Sequence, residues 1–513
     1  MATRLPLDQL LVPVRPGAAR VTAARLARHP LAILLLPPAP AAADFADLPH
    51  GDLLRSLVER KPRKGGEFVA ARLGKRGETM LFAGFVAGAA GTFERLEAAG
   101  KLARAALDSL AENMAGSAAH PMLLWSSGCT TAAAAEAENA VIAALQAAAF
   151  PLATFKSKPA ARARLAHIEL ARGGALPDLA VTLATAAGNN LARWLTALPP
   201  NQLDAAGYRR RLMALAGHLE IRYRFYGEAE LKRLGAGAFL AVSSGNAGRD
   251  AGIVCLSYRP RGTAAAPDLS LVGKGICFDT GGTNLKPHKS MLDMHTDMEG
   301  SAVAVGTLHA LHALGSPLAV DCWLAITENR IGPLAYKPQD VVRAVNGTTI
   351  QVIHTDAEGR MVLADTLCLA AARRPKAIID YATLTGACVY ALTERYSGAF
   401  TNRPATREVI EAAGSSSGER VWCFPMDADF DTDLESGVAD VLQCATEGKG
   451  DHILAARFLN RFVPADIPWL HLDLAAGTRH GGLAHIGTDV TGFGVRYSVD
   501  LVRRGWPSYT KRA

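Results

Sequence analysis

At 513 residues, with 49% hydrophobic and 20% charged side chains, the chain is too long for one ordinary domain and too balanced for a disordered or fibrous protein. The formal charge of +7 and pI near 9.0 raise the question of nucleic acid, but the basic residues form no long run and aromatics are only 6%, so a solvated, arginine-rich surface is the better reading. The first long apolar stretch, Leu31–Leu36, stops at Pro37 and falls far short of the roughly 20 residues that a membrane-crossing helix needs.

Residues 1–30 carry several arginines and one acid, Asp8, as a transit peptide would, but Pro6, Pro13 and Pro16 argue against an amphipathic targeting helix. From about 30 to 160, short apolar segments (Ala32–Leu36, Met80–Val86, Met122–Leu124) alternate with alanine-rich helical patterns (Ala98–Ala111, Thr131–Ala149), which predicts a small α/β domain. A third helical pattern, Leu176–Leu198, ends at Pro199-Pro200 and marks the connection between halves. The expected division is an N-terminal α/β domain over 1–165, a connecting helix over 166–200 and a catalytic domain over 201–513.

Beyond Pro200, apolar runs at Ala238–Val242, Ile253–Leu256, Leu269–Val272, Leu318–Thr327 and Ala377–Ile379 read as strands, separated by helical patterns at Gly300–Ala313 and Val362–Ala371. Continuous apolar strands between helices predict a buried, parallel or mixed central sheet flanked by helices. In such sheets ligands bind at the carboxyl ends of strands, and polar clusters follow Val272 and Ile353 at that position. The eight cysteines are scattered, with no CxxC pair, which fits a reducing cytosol.

Three clusters carry the chemistry. The first, Leu271-Val-Gly-Lys274-Gly-Ile-Cys-Phe-Asp279-Thr-Gly-Gly-Thr-Asn-Leu-Lys286, is glycine-rich and follows a strand, so the backbone can approach a ligand while Lys274, Asp279 and Lys286 project. The second, Met294-His-Thr-Asp297-Met-Glu-Gly300, opens a helix, where Asp297 could serve as an ordinary cap. The third is His354-Thr-Asp-Ala-Glu-Gly-Arg360; if this segment is extended, Asp356, Glu358 and Arg360 share a side. Acids gathered in one place repel, and multivalent cations relieve the repulsion. The carboxylates of Asp279, Asp297, Asp356 and Glu358 suit two divalent ions about 3.5–4 Å apart, and a lysine nitrogen in the shell shifts the preference toward zinc, manganese or cobalt. That lysine must first lose its proton. His354, His288 and His295 are weaker candidates.

These stretches, with Asn284-Leu-Lys-Pro287, Glu328–Val342, Asp380–Ala387, Pro199–Leu203, Trp469–Ala475 and Thr491–Arg496, resemble the leucyl (cytosol) aminopeptidase family of two-metal exopeptidases over about 200–500. The first 160 residues match in architecture only. The resemblance implies a tightly held metal on Lys274, Asp279, Asp297 and Glu358, and a more exchangeable one on Asp279, Asp356 and Glu358. It implies Lys286 and Arg360 as catalytic cations, bicarbonate on Arg360, zinc with manganese or cobalt as alternatives, and a cytoplasmic homo-hexamer acting on peptides. Met294, Thr383, Leu384 and Gly386 would line the pocket for the first side chain. The chain departs from the family's pattern at His354 (usually Asn), at Glu299 (usually Gly) and over Leu472–Gly477, which is one residue longer. Two other readings are weighed: a two-metal phosphoesterase, which Lys274 and the lack of a histidine cluster disfavour, and a nucleic-acid-binding or scaffolding role on the same fold.

Overall fold

The computed structural model describes residues 4–59, 64–74, 78–86, 90–114, 118–158, 162, 164–172, 178–262 and 266–507. The expected helix Leu176–Leu198 begins outside them and is seen as Ala180–Thr196. The chain forms two compact units, one of residues 7–186 with 480–489, the other of residues 1–6, 187–479 and 490–513.

The smaller unit is built on strands β1 (Val14–Gly17), β2 (Leu31–Leu36), β3 (Phe68–Leu73), β4 (Thr79–Phe85), β5 (Ala119–Ser126) and β6 (Arg164–Ala171), in the order β1-β6-β5-β2-β4-β3. All neighbours are parallel except β3, which runs antiparallel to β4. Every side chain of β2 is buried, as a central strand covered on both faces must be. One face packs Leu31, Ile33 and Leu35 against the helices Thr92–Asn113 and Thr131–Ala149; the other packs Ala32, Leu34 and Leu36 against Leu54 and Val58 of the helix Gly51–Glu59. The alternation of apolar segments with alanine-rich helices follows from this sandwich.

In the larger unit the strands are β7 (Arg222–Gly227), β8 (Gly252–Tyr258), β9 (Leu269–Asp279), β10 (Val320–Asn329), β11 (Val341–Arg343), β12 (Thr349–Gln351), β13 (Ala377–Ala382), β14 (Ser397–Thr401), β15 (Val421–Cys423), β16 (Val441–Leu442) and β17 (Trp469–Asp473). Eight of them form a mixed sheet in the order β15-β14-β17-β13-β9-β10-β8-β7, and β11, β12 and β16 form a small one. At its centre β9 is parallel to both β10 and β13, so the carboxyl ends of three strands lie side by side. The apolar run Ala238–Val242, expected as a strand, is instead inside the helix Gly237–Ser243. Five apolar residues carry no period that separates a buried strand from a helix buried all round, and Ala238, Phe239 and Val242 are all fully buried. Among the described residues no helix is long and apolar enough to cross a membrane.

Close approach of helix to sheet is bought with glycine. The helix Glu299–Ala313 rests on β9 and β13 through Gly300, where a Cβ would stand 2.2 Å from the carbonyl oxygen of Tyr381. Backbone cannot swing aside as a flexible side chain can, so Gly300→Ala must push the helix off the sheet. We expect a loss of about 1–3 kcal/mol, read as a lower midpoint in urea unfolding.

Candidate metal centre

Asp279 is the last residue of β9, Asn329 ends β10 in register with it, and Thr383 follows the last residue of β13. These strand ends receive two helix starts, with Asp297 just ahead of Glu299–Ala313 and Glu358 as the first residue of Glu358–Ala372. Elements distant in sequence thus converge at the carboxyl edge of the parallel strands, where loops are free to vary over a rigid frame.

Lys274 stands in the middle of β9, almost fully buried, a position a lysine occupies only when its charge is met. Its Nζ lies 2.8 Å from Asp297 Oδ1, 2.9 Å from Glu358 Oε1 and 2.8 Å from the carbonyl oxygen of Thr383, one acceptor for each ammonium proton. Burial pulls its pKa down, but the carboxylates of Asp297, Glu358 and Asp279 outweigh that and hold it above the usual lysine value. The lysine chain runs against Gly359, where a Cβ would fall 2.7 Å from Cε. Lys286 is the second cation, its Nζ 2.9 Å from Asp279 Oδ2 and 2.6 Å from Asp356 Oδ1, and its pKa too is raised by neighbouring carboxylates against the effect of burial.

Among the described residues, one oxygen from each of Asp279, Asp356 and Glu358 lie within 4.8 Å of one another. Burial, then the nearby charge of Asp279, pushes the Asp356 carboxyl up to about 7. Burial, opposed by Lys274, raises Asp297 well above the carboxylate range, and its Oδ2 has no partner among the described residues. Carboxylate oxygens gathered this closely in a buried place, one of them unpartnered among the described residues, fit a site for multivalent cations. The donor set is oxygen-rich with one lysine nitrogen.

The surrounding frame is rigid. Asn329 Nδ2 donates to Asp279 Oδ1 at 2.8 Å and to the carbonyl of Thr355 at 3.0 Å, while the Thr355 hydroxyl donates to the carbonyl of Gly281 at 2.6 Å. Gly281 has φ +87°, and a Cβ there would meet the carbonyl of Asn284 at 2.4 Å. Gln443 pins the loop before Glu358: its Oε1 accepts the amides of Ile353 (3.1 Å) and His354 (3.0 Å), and its Nε2 donates to the carbonyl of Ala357 (3.0 Å). Asp473, at the end of β17, accepts the amide of Leu384 (3.1 Å) and the hydroxyl of Thr385 (2.6 Å), fixing the turn from which Thr383 donates to Asp297 Oδ1 (2.8 Å). Asn329, Gln443 and Asp473 leave no local signal in the sequence, because these partners are 26 to 90 positions away.

Two local expectations are corrected. The segment through Arg360 is not extended: Glu358, Gly359 and Arg360 form the first turn of a helix. Side chains two apart on a helix diverge by about 200°, so Glu358 meets Lys274 while Arg360 turns to a different neighbour. That neighbour is Asp451, whose two carboxylate oxygens each accept from Arg360 Nη2 at 2.8 Å; Nη1 donates to the carbonyl of Gln443 at 3.3 Å. The bicarbonate expected on Arg360 therefore meets a guanidinium already facing a carboxylate of its own chain. Asp297, in turn, makes no capping bond at the helix start, its Oδ1 being taken by Lys274 and Thr383.

Of the remaining candidates, Met294 is half-buried in a 3-10 turn before Asp297, Leu384 is half-buried, and Gly386 is exposed at the start of the helix Gly386–Leu392. His354 is exposed and its Nδ1 accepts the amide of Asp356 at 3.3 Å. Glu299 is fully buried against Gly477, and burial pushes its carboxyl up to about 8.

The catalytic-domain model of the cytosol aminopeptidase family matches residues 190–499. The chain belongs to that family. A probable cytosol aminopeptidase of Methylorubrum extorquens is 42% identical over 327 residues, 62% of this chain and 64% of that protein, so the chain spans a little under two thirds of this relative's length. One from Methylobacterium radiotolerans is 38% identical over 400 residues, 77% of this chain and 78% of that protein. Among solved structures, the bottromycin maturation enzyme BotP in complex with Mn is 31% identical with a TM-score of 0.77, covering 93% of this chain and 99% of that one. A tomato leucine aminopeptidase mutant is 26% identical with a TM-score of 0.81, covering 96% of each.

Asp473→Ala leaves buried donors of the 384–385 turn unpaired, and each such group costs about 1–3 kcal/mol. Denaturant unfolding should show a loss of that order, and a smaller one for Asp473→Asn, which keeps an acceptor oxygen.

Proposed function

We propose that the chain is a metal-dependent aminopeptidase that removes the first residue, leucine or another apolar one, from peptides. The observation that carries this reading is the convergence of Asp279, Asp297, Asp356 and Glu358 with a buried lysine at strand ends, in a chain of this family. Two divalent ions, zinc or manganese, would be held by Lys274, Asp279, Asp297 and Glu358 at one position and by Asp279, Asp356 and Glu358 at the other, with Asp279 and Glu358 shared. The manganese of the BotP structure supports that choice of ion class. When bound, such ions lower the pKa of a shared water, polarise the scissile carbonyl and take the substrate's free amine as a neutral base.

The chain's own groups supply the rest. Lys286, an ammonium held by two carboxylates, is a preorganised cation for the oxyanion that develops on the substrate, an interaction stronger in the transition state than before it. Arg360 keeps a permanent positive charge beside Glu358. Met294, Thr383, Leu384 and Gly386 would shape the pocket for the first side chain. The family's hexameric, cytoplasmic character is proposed with the activity. The phosphoesterase alternative gains nothing, since no described histidine joins the acidic cluster.

With manganese or zinc the protein should release chromophore from leucyl anilide but not from N-acetyl-leucyl anilide, and equal turnover of both would refute the reading. Chelation should abolish the activity and added metal restore it. Glu358→Ala, which removes a shared ligand, should lower kcat by at least about a thousandfold and reduce the metal content found by elemental analysis. Sizing by light scattering would test the hexamer.

A further inference from the structure

We propose that Asp451 is the carboxylate that moves the proton in this site, a built-in base seated on Arg360, so that turnover needs no external anion there. The inference rests on the aminopeptidase reading and deepens it.

Peptide hydrolysis requires a group that takes a proton from the attacking water and returns it to the departing nitrogen. Arg360 cannot do this, since a guanidinium has donors only and stays charged. The ammonium of Lys286 is clasped by Asp279 and Asp356, and that of Lys274 by Asp297 and Glu358. The four carboxylates around the lysines are committed as ligands in the reading above. Asp451 differs from them. It contacts neither lysine and touches the site through the guanidinium; its side chain is 26% exposed, as is that of Asp356, but Asp356 is held by Lys286, whereas those of Asp279, Asp297 and Glu358 are 7% exposed or less. A carboxylate offers about four lone-pair positions, and Arg360 Nη2 takes one on each oxygen, leaving acceptor capacity that water can reach.

The backbone sets this contact. Asp451 is the first residue of the helix Asp451–Asn460, and Gly450 before it turns the chain through φ +62°. Arg360 is held from the other side by the carbonyl of Gln443, whose side chain also pins the 353–357 loop. The proton carrier is thus fixed to the frame that fixes Asp356 and Glu358. A free bicarbonate on the same nitrogen would lie within a few ångströms of the Asp451 charge. At an effective dielectric constant of about 20, two like charges about 4 Å apart weaken binding by about a thousandfold.

In the proposed step a water passes one proton to Asp451 as its oxygen bonds to the scissile carbonyl carbon. Asp451 gives that proton to the amide nitrogen as the C–N bond breaks, releasing the first amino acid and the shortened peptide. The new acid ionises to solvent and Asp451 returns as a carboxylate, with no oxidant, reductant or further reactant consumed.

The test compares the manganese-loaded wild type with Asp451→Ala and Asp451→Asn on leucyl anilide in carbon-dioxide-free buffer, with and without bicarbonate or formate at tens of millimolar. We expect wild-type kcat to change less than twofold on adding either anion. Asp451→Ala should lose about 10²–10³ in kcat with KM within about threefold, the range of a lost general base. Bicarbonate or formate should restore at least tenfold of that loss in the alanine variant and nothing in the asparagine one, whose amide still fills the place. A readout without turnover uses ¹³C-bicarbonate and metal-free protein: its NMR line should broaden with Asp451→Ala and not with wild type. Several-fold stimulation of wild type by bicarbonate, wild-type kcat in Asp451→Ala, or a loss that neither anion rescues would each overturn the proposal. The wild-type anion response decides even if both variants fail to fold. Should wild type cleave no aminoacyl substrate with any metal, the aminopeptidase reading fails, and ¹³C-bicarbonate broadening by wild type would separately sink the claim that Asp451 fills the anion position.

Discussion

Mutual repulsion among carboxylates is the constraint around which the larger unit is arranged. Asp279 comes from a strand end, Asp297 from one helix start, and Asp356 and Glu358 from another, and without compensation their charges would drive those ends apart. Two ammonium groups provide that compensation: Lys274 ties Asp297 to Glu358, and Lys286 ties Asp279 to Asp356. Removing one partner of a buried pair is far more costly than the pair's net worth, because the other charge is left stranded. The two lysines therefore offset the charge of the four acids from within the protein's own fold.

The fold keeps those charges in position with very little tolerance. Parallel alignment of β9 with β10 and β13 puts three carboxyl ends in a row, and Gly300 lets the helix after Asp297 touch the sheet directly. Around them, Asn329, Thr355, Gln443 and Asp473 use side-chain hydrogen bonds to hold loops that make no ladder. Buried polar networks of this kind are specific because every unmade bond is expensive.

Much of this was legible from the chain. Apolar segments too continuous for a one-sided sheet, alternating with helical patterns, pointed to sandwiched sheets, and acids clustered after such segments pointed to their carboxyl ends. Periodicity was silent where a run was short: Ala238–Val242 has no polar residue to mark a face, so helix and strand looked alike. The alternation of Asp356, Glu358 and Arg360 suggested extended chain, yet tertiary packing begins a helix at Glu358. Partners brought in from afar left no local trace. Asp451 lies 91 positions from Arg360 in a stretch of glycine, lysine and glutamate that reads as an ordinary surface loop.

The opening turn of the helix Glu358–Ala372 aims Glu358 at Lys274 and Arg360 at Asp451 from a single rigid rod. Tilting or sliding that rod would retune both sides at once, so neither can be adjusted independently from the helix itself. Independent adjustment is left to what faces it: the strand bearing Lys274 on one side, and the loop between Gln443 and Asp451 on the other. Divergence within such a scaffold is channelled toward that loop, where a changed residue can alter what meets the Arg360 guanidinium without disturbing the contact of Glu358 with Lys274.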